Sequence, residues 1–370
     1  MNTDEHRLNV RAALHQLCAS VCICGFIVSP VLAQATKPTV LASTPNQVTG
    51  EEITPAQQEA VRRGLSWLST HQNRDGGFGA MNGPVSHAGI TALAGLAFMQ
   101  AGNLPGRGQY GDNVTKCLNF VLAHCQESGL IASDQSHGPM YGHGFATLFL
   151  GEVYGMTQDE AVKEKLQRAV RLIERTQNHE GGWRYQPVPY DADISVTICQ
   201  VMALRAARDA GIKVEKEVVD KSIKYVISCQ NDDGGFSYVA NQGGGSGFAR
   251  SAAGVSSLYY AGVFEGDNVK RGLNYLKQFQ PSKSGAADAA AEGHYFYGHY
   301  YAVQAMFLAG GDYWSQWYPA VRDQLISRQD KTTGKWSGDF NDDYATAMAL
   351  IVLQMPNRYL PVYTGKGPGS

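Results

Sequence analysis

The sequence is short of the features that usually betray a site. No Cys-x-x-Cys pair occurs, and no His/Cys spacing fits a zinc centre. Of seven cysteines, Cys18, Cys22 and Cys24 fall in the N-terminal segment. The others, Cys117, Cys125, Cys199 and Cys229, each sit inside an apolar helical pattern, which is core usage and not a disulfide framework. Net charge is almost absent: 31 Lys and Arg face 33 Asp and Glu, a formal charge of −2. That balance offers no electrostatic footprint for nucleic acid or an anionic surface. Beyond the first 35 residues no apolar run is long and charge-free enough to require a bilayer.

What is present begins with a leader. Arg7 and Arg11 precede an apolar run from Leu17 to Leu32, and Ala33-Gln34-Ala35 is a small-x-small cleavage signal. Residues 1–35 are expected to be a secretory signal peptide, which predicts a secreted or periplasmic protein. Residues 36–53, rich in Thr, Pro, Ser and Asn, read as a flexible arm.

One short stretch then recurs. Gln72-Asn73-Arg74-Asp75-Gly76-Gly77-Phe78 returns as Gln177-Asn178-His179-Glu180-Gly181-Gly182-Trp183 and as Gln230-Asn231-Asp232-Asp233-Gly234-Gly235-Phe236. Counting from the glutamine gives six units, at Gln72, Gln126, Gln177, Gln230, Gln280 and Gln329. An amphipathic helical pattern precedes each glutamine. In the third unit Val162, Leu166, Val170 and Ile173 are spaced by four, four and three, with Lys and Glu opposite. An almost wholly apolar helix follows, as in 88–101, 194–207, 300–309 and 344–353. A helix apolar all round is buried all round. Closing six hairpins into a ring buries six inner helices behind six outer ones. The expected fold is therefore all-α, an (α/α)6 toroid over residues 54–356, with 357–370 as a C-terminal tail. The double glycine reverses the chain, and the glutamine caps backbone groups freed there.

One polar residue falls near the start of each inner helix: His87, His143, Asp193, Arg250, His299 and Asp343. Parallel inner helices would gather these at one mouth of the ring, where aligned N-termini favour an anion. The plainer reading is capping, for which Asp193 and Asp343 are well suited. Aromatic residues accumulate nearby, among them Tyr185, Tyr190, Tyr238, Tyr295, Tyr297, Tyr300, Tyr301 and Tyr344. They would serve as packing, as a cation–π lining or as a lipid-binding surface.

The repeated Gln-x-x-(Asp/Glu)-Gly-Gly-(Phe/Trp) resembles the repeat of the terpenoid cyclase and protein prenyltransferase superfamily. The resemblance implies a toroid with an apolar cavity for an isoprenoid or other lipid. Its zinc-dependent branch places an Asp and a Cys at one inner-helix start and a His at the next; here those positions hold Tyr297, His299 and Ala345. No metal or cofactor is therefore expected. Its class II cyclases protonate an alkene with the middle acid of Asp-x-Asp-Asp. Here Asp191 and Asp193 match, and Ile194 replaces the last acid. Three readings follow: a cyclase or isomerase with Asp193 as acid, beside Asp191 and helped by His143 or His299; a non-catalytic envelope scaffold that holds a ligand or partner, with peripheral membrane contact; and an (α/α)6 carbohydrate-active enzyme in which carboxylates such as Asp193 and Asp343 work as a pair.

Overall fold

In a computed structural model of the chain, residues 52–79, 86–133, 138–242, 244–281, 294–338 and 340–364 are described. The expected signal peptide, and the arm up to residue 51, lie outside them.

The described residues form twelve α-helices that pair as six hairpins. The outer members are α1 (Pro55–Thr70), α3 (Gly111–Ala123), α5 (Glu160–Thr176), α7 (Lys216–Ser228), α9 (Asp267–Lys277) and α11 (Gly311–Arg328). The inner members are α2 (Ala88–Gln100), α4 (Met140–Thr157), α6 (Ile194–Asp209), α8 (Phe248–Ala261), α10 (Tyr295–Ala309) and α12 (Asp342–Leu353). Each inner helix packs on the next, and α12 packs back on α2, so the barrel is closed. Composition explains the layering. Every residue of α2 is buried, whereas α5 buries one face, from Val162 through Leu166 and Val170 to Ile173. Fully burying a side chain such as Leu96 or Phe98 contributes about 1.5–3 kcal/mol, and the inner barrel does this along whole helices. Small residues let the inner helices approach closely: Gly144 lies against Cys199, and Gly151 against Ala206. The (α/α)6 toroid is the fold.

The repeated glutamine ties each hairpin to the next. Gln72 Nε2 donates to the Gly76 carbonyl of its own turn at 2.8 Å and to Asn113 O of α3 at 3.1 Å. Gln177 does the same with Gly181 and Val218 at 2.9 and 2.8 Å, and Gln230 with Gly234 and Asn268 at 2.9 Å each. Gln329 closes the circle, donating to Gly334 O at 2.7 Å and to Ala60 O of α1 at 2.8 Å. The first glycine of each turn leaves no room for a side chain. At Gly234 φ is +87°, and a Cβ there would stand 2.6 Å from the Arg271 carbonyl of the next outer helix.

A second bond sets the register of five of the six inner helices. The N–H of the aromatic after the glycines donates to a hydroxyl one turn into that helix: Phe78 to Thr91 at 2.9 Å, Trp183 to Thr197 at 3.1 Å, Phe236 to Ser251 at 2.9 Å and Trp336 to Thr346 at 3.0 Å. In the second hairpin Ile131 N–H donates instead to His143 Nδ1, at 3.1 Å. The indoles of Trp183 and Trp336 also donate back to the outer helix, to Ile173 O and Leu325 O at 2.8 and 2.7 Å.

Part of the segment after residue 356 is core and not a tail. Leu360, Val362 and Tyr363 are almost completely buried, and the short 3-10 helix Pro361–Thr364 packs on α4 and α6. Residues 365–370 lie outside the described residues.

Gln329→Ala strands two buried carbonyls at the ring closure and should cost about 1–3 kcal/mol in denaturant unfolding. Gln126→Ala, at an exposed copy whose side chain only accepts from Ser128 Oγ at 3.5 Å, should cost a few tenths.

Candidate functional site

The start of α6 holds the densest polar cluster of the mouth. Asp193 is its N-cap: the backbone pairs with Trp183, and Oδ1 accepts the Val196 N–H at 2.9 Å. Its other oxygen accepts the Tyr238 hydroxyl at 3.1 Å and lies 3.7 Å from Arg184 Nε. The residue has no exposed surface. Burial pushes its pKa up to about 6, against the opposing pull of the Val196 and Tyr238 hydrogen bonds and the Arg184 charge. Arg184 also pairs with Asp191, which is partly exposed and accepts its neighbour Ala192 N–H at 2.7 Å. The guanidinium lies 5.3 and 5.8 Å from the rings of Tyr185 and Tyr238, whose hydroxyls bond each other. Tyr141 packs 6.0 Å from Tyr185.

This chemistry has a direction. A carboxyl titrating near 6 can exchange a proton with a heteroatom near neutral pH. It is a weaker acid than a free aspartic acid, which is the wrong direction for protonating an alkene. The position that carries a third acid in Asp-x-Asp-Asp is the buried aliphatic Ile194.

The other expected mouth residues are distributed differently. His87 caps α2, its Nδ1 accepting from Gly89 and Ile90 N–H at 3.1 and 3.3 Å. His143 is not a mouth residue: it is the buried acceptor of Ile131, one turn inside α4, and burial lowers its pKa to about 4. Arg250 lies in the first turn of α8, its guanidinium against Gly247, so the caps in register with Asp193 are Pro139 and Gly247, not His143 and Arg250. Asp343 does not cap α12. Asn341 does, accepting the Tyr344 N–H at 2.8 Å, while Asp343 accepts Gly79 N–H at 2.8 Å from the first hairpin. Burial raises the Asp343 pKa, opposed by that bond. The Tyr344 ring meets the half-exposed Phe340 edge-on at 5.1 Å. His299 is caged by Tyr295, Phe248 and Trp317, and burial lowers its pKa to about 3.

The acids of the repeat are structural. Asp75 accepts Gly77 N–H and the Ser86 hydroxyl at 2.9 and 2.8 Å, and Asp233 accepts Gly235 N–H and the Ser246 hydroxyl at 2.9 and 2.7 Å. In the third copy Asn178 Oδ1 takes the Glu180, Gly181 and Gly182 N–H groups, and Glu180 is only a 3.4 Å acceptor of Asn178 Nδ2.

Phenols fill the barrel below the mouth. Tyr297 of α10 reaches across to donate to Ser195 O of α6 at 2.8 Å. Tyr301 OH meets Cys199 Sγ at 3.3 Å, and Tyr300 OH meets Tyr363 OH at 3.0 Å. Phe145 packs edge-on against Tyr300 at 6.0 Å, and Tyr260 donates to Gln304 Oε1 at 2.5 Å. A pocket enclosed by α6, α7 and α8 measures about 10 Å³, room for a single water.

The fold and these turns define a class, the (α/α)6 toroids with glutamine–glycine–aromatic repeats. Within it, residues 147–308 match the squalene-hopene cyclase C-terminal domain and residues 21–145 the prenyltransferase alpha-alpha toroid domain. The repeats are thus those of the terpenoid cyclase and prenyltransferase superfamily. No curated protein sequence matches the chain. Among solved structures, a variant of the type II terpene cyclase MstE from Scytonema, bound to geranylgeranyl dihydroxybenzoate, is 13% identical, with a TM-score of 0.55 over 82% of this chain and 98% of that one. An inactive variant of the alpha-1,6-mannanase GH76A of Salegentibacter sp. HEL1_6, bound to alpha-1,6-mannotriose, is 8% identical, with a TM-score of 0.61 over 82% and 99%. Cellobiose 2-epimerase from Spirochaeta thermophila is 14% identical, with a TM-score of 0.61 over 81% and 96%. These likenesses establish the fold.

Because the Asp193 pKa is raised on folding, its protonated form stabilises the protein below about pH 4, and that contribution is lost as pH rises through about 6. The change amounts to about 3 kcal/mol. Asp193→Asn keeps a good N-cap and should flatten the pH dependence of Tm between those limits. An unchanged slope would place the titration elsewhere.

Proposed function

We propose that the protein is an exported binding toroid, secreted or periplasmic, that works at the mouth formed by the inner-helix starts. Its ligand or envelope partner would meet the surface around Arg184, Asp191 and Asp193. The observation behind this reading is the filled barrel. Tyr297, Tyr301 and Tyr300 span the space in which a cyclase must fold a long isoprenoid, and ligand pockets for molecules of that size run to several hundred Å³. The mouth presents a guanidinium between two phenols beside the Asp191 carboxyl, with Asp193 buried behind it and Val188 and Tyr190 exposed on the adjoining loop. An apolar, lipid-like molecule with a polar head suits that surface.

One observation favours a second reading. Asp193 is a buried carboxyl at an inner-helix start with a perturbed pKa, a common signature of a catalytic acid. In that reading the protein is a terpenoid cyclase-like or isomerase-like enzyme with Asp193 as general acid. The carbohydrate-active alternative would use Asp193 and Asp343 as its pair; it gains less support because both are engaged in bonds of the fold, Asp193 with Val196 N–H and the Tyr238 hydroxyl and Asp343 with Gly79 N–H.

Incubating the purified protein with squalene or geranylgeranyl diphosphate, followed by lipid analysis, separates the two. The binding reading predicts unchanged lipid, the same as with Asp193→Asn. A cyclised product that disappears in Asp193→Asn would establish the enzyme.

A further inference from the structure

The opposite end of the barrel carries a different feature. Beyond α12 the chain turns at Arg358, a non-glycine residue at φ +57°, and sends Leu360, Val362 and Tyr363 back among the inner helices. Tyr359 just before them is 54% exposed and Pro361 between them is exposed, so the segment dips in and out and is not a continuous layer of the core. Val362 N–H donates to Glu152 Oε1 of α4 at 3.2 Å, and Tyr363 OH meets Tyr300 OH of α10 at 3.0 Å.

Glu152 makes this arrangement unusual. It is 2% exposed, yet its second oxygen, Oε2, has no hydrogen-bond partner among the described residues. Buried carboxyl oxygens are ordinarily bonded, because an unmade bond there carries the full desolvation cost. The segment therefore satisfies half of the group it covers. What is missing is one hydrogen-bonding group beside an apolar body.

We propose that this end of the barrel is a binding site which the chain fills with its own Leu360–Tyr363 segment, and that a small apolar molecule with a hydroxyl head can take the segment's place. Tyr363 shows the shape that fits, a phenol against Tyr300. The incoming hydroxyl would also supply the hydrogen-bond partner that Glu152 Oε2 lacks. The site is independent of the mouth and of whether Asp193 acts as an acid.

The geometry also makes the exchange pH-sensitive. Burial raises the Glu152 pKa to about 8, Asp209 of α6 adds to this, and the Val362 N–H opposes it. Asp209 is itself paired with Arg205 at 2.6 Å, and the remaining titratable groups facing Glu152 are the phenols of Tyr260, Tyr300 and Tyr363. The filled state holds the proton more tightly than an opened, hydrated one. Closure is thus strongest at acid pH and weakens as pH rises from about 4.5 towards 8, by up to about tenfold per pH unit.

Hydrogen exchange on the intact protein tests this directly. After correction for intrinsic rates, the Val362 and Tyr363 amides should exchange at least about 100-fold faster than those of Ala302–Ala305 in α10. Their advantage should grow between pH 5 and 8 and stop growing in Glu152→Gln. Equal protection of segment and helix would make the segment ordinary core and overturn the proposal. In Tyr363→Ala, p-cresol should bind and raise Tm, and toluene, which lacks the hydroxyl, should bind at least about tenfold more weakly. A folded Tyr363→Ala that ignores p-cresol would also overturn it. If that variant does not fold, the exchange measurement on the unaltered chain decides.

Discussion

The toroid depends on a side-chain amide that bonds in two directions. In four of the six hairpins the glutamine after the outer helix holds both its own glycine turn and the next outer helix through its amide N–H groups, and from Gln329 the second bond reaches α1. Bonds to the succeeding helix, repeated around a fixed turn, carry the chain back to its start. The glycine supplies the positive φ and the clearance that bring the next helix within reach. The degenerate copies fit the same logic: Gln280 keeps a bond to the following helix, to Gln316 O at 3.2 Å, and the second turn is held by Arg175 of α5, which donates to Ser128 O at 2.6 Å.

The aromatic N–H latch then decides what stands at the mouth, and here the sequence was only partly legible. The repeat, the two helix classes and the ring could be read from periodicity, because burying all faces of a helix leaves a compositional mark. The register of the inner helices could not be read in the same way. His143 looked like a mouth residue, but a histidine nitrogen accepts an N–H as well as a threonine hydroxyl does, so it occupies the latch position instead. In the fourth hairpin the cap is Gly247, and a glycine cap leaves no polar side chain to align on. Arg184 and Tyr141 complete the cluster without a sequence signal of their own. Nothing in their local pattern marks them, and they meet Asp193, Asp191 and Tyr185 only through the turn that follows Trp183 and the packing of α4 beside α6.

The same physics shapes function. The barrel here is crossed by hydrogen-bonded phenols and reached by the chain's own C-terminal residues. Burying several tyrosine hydroxyls is tolerable because each finds a partner: a carbonyl, a thiol or another phenol. The acid at the α6 start is buried by the same compaction. Desolvation raises its pKa and moves it away from strong-acid chemistry, while leaving it able to recognise or exchange protons with a polar head.

Native mass spectrometry of the gently purified protein tests the filled barrel most directly. The account predicts the mass of the bare chain after expression in cells that make isoprenoids, with no stoichiometric adduct. A retained isoprenoid of cyclase-substrate size, released only on unfolding, would show that the barrel is hollow in solution and contradict the account.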